Sequence, residues 1–76
     1  MKILVMGPGC PKCEQTEKTV RDACAEAGVA ADIEKVKDFQ EMAKYGIFAT
    51  PAVVIDGEVK VAGKAPSKKD VLGWLS

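Results

Sequence analysis

The first apolar run, Ile3-Leu4-Val5-Met6 behind Lys2, is short and β-favouring and is cut off by Gly7-Pro8-Gly9, so Lys2–Met6 reads as a buried strand. From Pro11 to Ala27 the period becomes helical. Cys13, Thr16, Val20, Cys24 and Ala27 recur at spacings of three and four and define one inward stripe. Pro11 suits the first helical position, where a missing N–H costs nothing, and Gly28 suits the position just past the end. Ala31 to Val36 alternates around Ile33 as a second strand. Asp38 can cap a second helix that reaches Tyr45 and stops at Gly46.

Two further strands, Ala52 to Ile55 and Glu58 to Val61, flank Asp56-Gly57, a strong hairpin signal. Ser67-Lys68-Lys69-Asp70 has the form of a capping box and opens a last helix through Leu75, with Val71, Leu72, Trp74 and Leu75 on its inner face. The order β-α-β-α-β-β-α predicts an α/β fold: a four-stranded mixed sheet flanked by helices. Its opening β-α-β unit is a parallel, right-handed crossover. Ligands of such sheets bind beyond the carboxyl ends of the strands, which makes residues 7–13 the expected site.

Composition narrows the function. A length of 76 residues fits one domain spanning 1–76, with a small core. Eleven basic residues balance eleven acidic ones, giving no electrostatic case for nucleic acid or an anionic membrane. The lack of histidine excludes Ser-His-Asp and Cys-His mechanisms and imidazole metal sites. No apolar run has the length of a signal or membrane segment, so a cytoplasmic location is expected. Three cysteines in a reducing compartment are too few, and odd in number, for a disulfide framework.

Cys10-Pro11-Lys12-Cys13 carries the expected chemistry. Cys-x-x-Cys at a helix start brings two sulfurs within disulfide reach across one turn. Cys10 falls at the N-cap, where free N–H groups and the positive end of the helix favour a thiolate. Lys12 would add to that effect and Glu14 would oppose it. Cys10 is then the nucleophile toward a partner disulfide, and Cys13, one turn inside, resolves the mixed disulfide. Pro11 stiffens the helix start. Cys24 lies eleven residues beyond Cys13, about 16 Å along a helix, and reads as core.

Taken with Tyr45-Gly46-Ile47-Phe48-Ala49-Thr50-Pro51, the strand after it, Gly57-Glu58-Val59 and Gly63 with Ser67-Lys68, these features resemble the thioredoxin/glutaredoxin superfamily. Within it they resemble the short archaeal and bacterial redox-active disulfide proteins. The resemblance runs nearly end to end. It implies a thioredoxin-like fold and a thiol–disulfide oxidoreductase, acting as a protein disulfide reductase or electron carrier. It further implies a monomer without cofactor or metal, meeting protein disulfide substrates and an upstream reductase. It makes Pro51 a cis-proline whose neighbour Thr50 offers backbone groups to a substrate strand, with Pro11 and Lys12 also on the substrate-binding surface.

Departures are visible. Gly9 stands where thioredoxins carry Trp, Pro11-Lys12 replaces Gly-Pro, and the first strand has no carboxylate to serve Cys13. Gly63 is followed by Lys64-Ala65-Pro66 rather than by the glutathione-binding pattern of glutaredoxins. Two other classes compete. A soft-metal chaperone could use the same thiolates for Cu(I) or Zn, but that fold ends on a strand whereas this chain ends on a helix. A non-catalytic interaction module would dock a partner on an apolar rim of Met6, Pro8, Ile47 and Phe48.

Overall fold

Along β1 (Lys2–Met6) successive side chains point to opposite faces of the sheet, and this alternation divides the core in two. The computed structural model, which describes residues 1–75, places Ile3 and Val5 on one face with Val20, Ala23 and Cys24 of α1 (Pro11–Ala27) and Val71 of α3 (Lys68–Leu75). Leu4 and Met6 face the other way, toward Met42 of α2 (Phe39–Lys44) and Ile47. The strands β2 (Asp32–Val36), β3 (Ala52–Ile55) and β4 (Glu58–Ala62) complete a sheet of order β2-β1-β3-β4. β1 runs parallel to β2 and antiparallel to β3, which pairs antiparallel with β4. The expected element order and the mixed, helix-flanked sheet are both present.

Local chemistry explains most boundaries. Cys10 and Asp38 are the N-caps of α1 and α2, and the Asp38 carboxylate accepts from the Gln40 N–H at 2.8 Å. Gly28 closes α1 in the left-handed conformation (φ 68°), and the Val29 N–H reaches back to the Cys24 carbonyl at 2.9 Å. Asp56 and Gly57 both have positive φ (50° and 85°), as a two-residue hairpin turn of the primed kind requires. The capping box at α3 is reciprocal: Asp70 N–H donates to Ser67 Oγ at 3.1 Å, and Ser67 N–H donates to Asp70 Oδ2 at 3.3 Å.

Three expectations need correction. β2 begins at Asp32 rather than Ala31. β4 runs one residue further, to Ala62, because the register slips between Val53 and Val54: Val59 faces Val54, Val61 faces Val53, and Lys60 is the extra residue of a bulge. On α1, Ala23 is buried and Ala27 is exposed. Alanine carries too little apolar area for spacing alone to decide its burial. The polar member of that stripe, Thr16, is fully buried yet satisfied, its hydroxyl donating to the Lys12 carbonyl at 2.8 Å.

Removing the Ser67 cap tests how much α3 owes to its box. Ser67→Ala is expected to lower unfolding free energy by about 1 kcal/mol. The effect appears as an earlier midpoint in denaturant with unchanged slope.

Candidate active site

The site forms where β1 ends. Gly7 extends the β1–β2 pairing by one bond, its N–H donating to the Val36 carbonyl at 2.9 Å, and Gly9 turns the chain with φ 95°. Cys10 is extended (φ −70°, ψ 164°), and Pro11 starts the helix without an N–H to strand. The Cys10 carbonyl takes the first helical bond from the Glu14 N–H at 3.0 Å, while its sulfur accepts from the Cys13 N–H at 3.2 Å. A sulfur thus does the work usually given to a Ser or Asp oxygen.

The two sulfurs are unlike each other. Cys10 is partly exposed and Cys13 is buried, and both are free thiols. The Cys10 thiol is pulled below the usual thiol range, first by the hydrogen bond from the Cys13 thiol; burial opposes this, and the backbone N–H groups of Cys13, Lys12 and Cys10 reinforce it. Lys12 therefore contributes through its backbone. Cys13 is pushed up, first by burial and then by its hydrogen bond to the Cys10 sulfur, with backbone groups of Cys10 and Gly9 working against the rise. Cys24 is buried in the core cluster and pushed up by burial alone.

From the other side comes the loop before β3. The Thr50–Pro51 peptide is cis, Pro51 is buried, and its carbonyl accepts from the Gly63 N–H at 2.9 Å. Pro11 and Lys12 are exposed at the helix start and Thr50 is half-buried. Among the described residues, no group of three or more His, Cys, Asp or Glu is arranged to hold a metal.

Two features escaped the sequence reading. Met6 and Ile47, expected on an exposed rim, are buried at 0 % and 3 %, because the alternation of β1 aims Met6 at α2. The apolar surface is instead a groove of about 330 Å³ lined by Phe39, Met42, Ala43, Ile47, Phe48 and Thr50, with the two phenylalanines 66 % and 89 % exposed. Phe39 opens α2, and only the packing of that helix beside the Thr50 loop brings it there. Lys37 is the other: its ammonium lies 3.7 Å from where a Gly9 Cβ would stand. The parallel pairing of β1 with β2 puts the residues following the two strands side by side, which a strand pairing read in advance would have disclosed.

A family model described as the thioredoxin domain matches residues 1–76. The chain belongs to the thioredoxin family. It is 38 % identical over 76 residues to a thioredoxin of Methanothermobacter thermautotrophicus, covering all of this chain and 99 % of that protein. It is 42 % identical over 69 residues to a thioredoxin of Methanocaldococcus jannaschii, covering 91 % of this chain and 79 % of that one. A probable thioredoxin of Methanothermobacter marburgensis is 33 % identical over 72 residues, covering 91 % and 84 %. With its Cys-x-x-Cys pair at a helix start, this thioredoxin-family chain is a thiol–disulfide oxidoreductase. Thioredoxins act on disulfides and are returned to the dithiol by a reductase. No helix among the described residues is long and apolar enough to cross a membrane.

The opposed shifts have a direct readout. Because the Cys10 thiolate is favoured and the Cys13 thiolate disfavoured, alkylation of Cys10 is expected to reach half its maximal rate below the pH of an ordinary thiol, and that of Cys13 above it. Mass mapping of iodoacetamide adducts against pH separates the two. Equal midpoints would contradict the assignment. Cys24→Ala, a core truncation, is expected to cost about 1 kcal/mol of stability and leave disulfide-reductase turnover unchanged.

Proposed function

We propose that this thioredoxin-family chain reduces disulfides in protein substrates, with Cys10 as nucleophile and Cys13 as resolving thiol. The observation that carries the reading is the arrangement at the start of α1, where both the N–H and the thiol of Cys13 are directed at the Cys10 sulfur. Such donors favour the Cys10 thiolate, the species that attacks. In the first step the Cys10 thiolate bonds to one substrate sulfur, the substrate S–S bond breaks, and the other sulfur leaves as a thiolate. In the second, Cys13 loses its proton and bonds to the Cys10 sulfur. The Cys10–substrate bond breaks, and the second substrate thiolate departs. The substrate has gained two electrons and the chain holds a Cys10–Cys13 disulfide, which a reductase returns to the dithiol.

The surface around the pair supplies the substrate site in this reading. Pro11 and Lys12 border Cys10 on the helix start. Thr50, followed by Pro51 on the loop before β3, lies near Cys13 at Gly7, and the Thr50 backbone pairs with an extended substrate segment by strand addition. Thr50 also lines the apolar groove, so a segment bound there lays an apolar side chain against Phe39 and Phe48. The lining carries no charge, which suits an apolar side chain over an acidic or basic one. Balanced net charge gives no overall electrostatic attraction to nucleic acid. We place the chain in the cytoplasm as a monomer, with residues 1–76 forming one domain.

The two cysteines separate by substitution. Cys10→Ser is expected to reduce insulin-disulfide reduction to the uncatalysed rate. Cys13→Ser is expected to accumulate a covalent adduct with substrate through Cys10, seen as added mass that dithiothreitol removes. Turnover surviving in Cys10→Ser would overturn the nucleophile assignment.

A further inference from the structure

Gly7 has no conformational reason to be glycine. Five glycines of the chain (Gly9, Gly28, Gly46, Gly57 and Gly63) have positive φ, and Gly7 is not among them. What distinguishes it is space. A Cβ built on Gly7 would overlap the Cys13 Sγ and stand 3.1 Å from the Cys13 Cβ, with the Thr50 Cβ 3.8 Å away. Gly7 is itself buried, beside Cys13 and close to Thr50 of the loop that carries the cis-proline.

From this we infer that Gly7 is a positioning residue: its missing side chain is the slot that seats the Cys13 sulfur against Cys10. The inference rests on the proposal that Cys13 resolves the mixed disulfide. Neither neighbour can yield cheaply to a methyl group. The Gly7 backbone is tied to β2 through the 2.9 Å bond to the Val36 carbonyl, and Pro8 follows with its φ locked. Cys13 is 2 % exposed and held in the first turn of α1, so one torsion, χ1, is its sole side-chain freedom. A change of χ1 well carries the sulfur away from its present place against Cys10. The bond lost would be the one the second step has to make, and rates of such in-line attacks are steep in position. The first step needs no bond to Cys13 and loses only the hydrogen bond from its thiol, because the Cys13 N–H stays on the Cys10 sulfur.

The consequence is a split between the two steps. Loading reduced protein with the thionitrobenzoate disulfide reagent gives one coloured thiolate when Cys10 is captured and a second when Cys13 displaces the Cys10 adduct. Gly7→Ala is expected to slow the second phase by roughly ten- to a hundredfold and the first by clearly less, since the Cys13 N–H still serves the Cys10 sulfur when the thiol is moved away. An unchanged second phase overturns the slot.

Because Gly7→Ala could fail to fold, a stability cycle gives an independent test. Removing the sulfur removes the overlap and leaves only the Cβ contact. Gly7→Ala is thus expected to lower the denaturation midpoint in the parent and to lower it much less on a Cys13→Ala background. Equal losses on both backgrounds would show that Gly7 serves the backbone and not the thiol. Failure of the underlying reading looks different. A second phase that persists in Cys13→Ser removes Cys13 from the resolving role, whatever the stability cycle reports.

Discussion

The hydrogen bond from the Cys13 N–H to the Cys10 sulfur, 3.2 Å long, caps the helix and joins the Cys13 thiol, the larger influence, in favouring a Cys10 thiolate. A helix leaves its first N–H groups without partners, and most chains satisfy one with a Ser, Thr, Asp or Asn oxygen. A thiol sulfur is a poorer acceptor than any of these. A thiolate is a far better one, since charge-assisted hydrogen bonds are roughly twice as strong as neutral ones. The helix start is therefore best capped in the ionised state of Cys10. Capping of α1 and the favouring of a Cys10 thiolate thus share one interaction.

That interaction is useful only if the helix start is held rigidly, and the two halves of the core do this from opposite faces. The Ile3–Val5–Val20–Val53–Val71 cluster clamps α1 and α3 to one side of the sheet. The Met6–Met42–Ala52–Val54–Ile47 cluster fastens α2, and with it the run leading to Thr50, to the other. β1 is central to both because its alternating side chains serve each in turn. Where β1 ends, the two halves meet, and Gly7 is the residue over which Cys13 and Thr50 approach each other.

This division also explains what the sequence made legible. The caps at Cys10, Asp38 and Ser67, the left-handed stop at Gly28 and the Asp56-Gly57 turn are short-range, so their residue types announce them. The cysteine pair is of the same kind, since three residues at a helix start decide its geometry. The Thr50–Pro51 cis peptide came from a resemblance, because no local rule distinguishes it from a trans proline opening a strand. What stayed hidden depends on distant partners. Ala23 in place of Ala27, the bulge at Lys60 and the burial of Met6 and Ile47 are decided by which surface packs opposite. The groove between Phe39 and Phe48 and the approach of Lys37 to Gly9 follow from the placement of α2 and the pairing of β2.

One gap in the chemistry closes from the same geometry. β1 offers no carboxylate to remove the Cys13 proton, and that thiol is held in its protonated form by burial, by donating to Cys10 and by the charge on Cys10. The last two causes exist only while the Cys10 sulfur is an anion. Once Cys10 is captured in a mixed disulfide its charge is gone and its sulfur becomes a weak acceptor, so both upward influences disappear together. The backbone groups that favour a Cys13 thiolate stay in place, and the helix-start N–H groups lose the anion they were serving. Capture of substrate therefore removes two of the three upward influences on Cys13 and leaves burial, the largest, in place. In the proposed reaction the order of the two steps then follows from the pair: the restraint on Cys13 is greatest while the Cys10 sulfur is charged and weakens once that charge is lost.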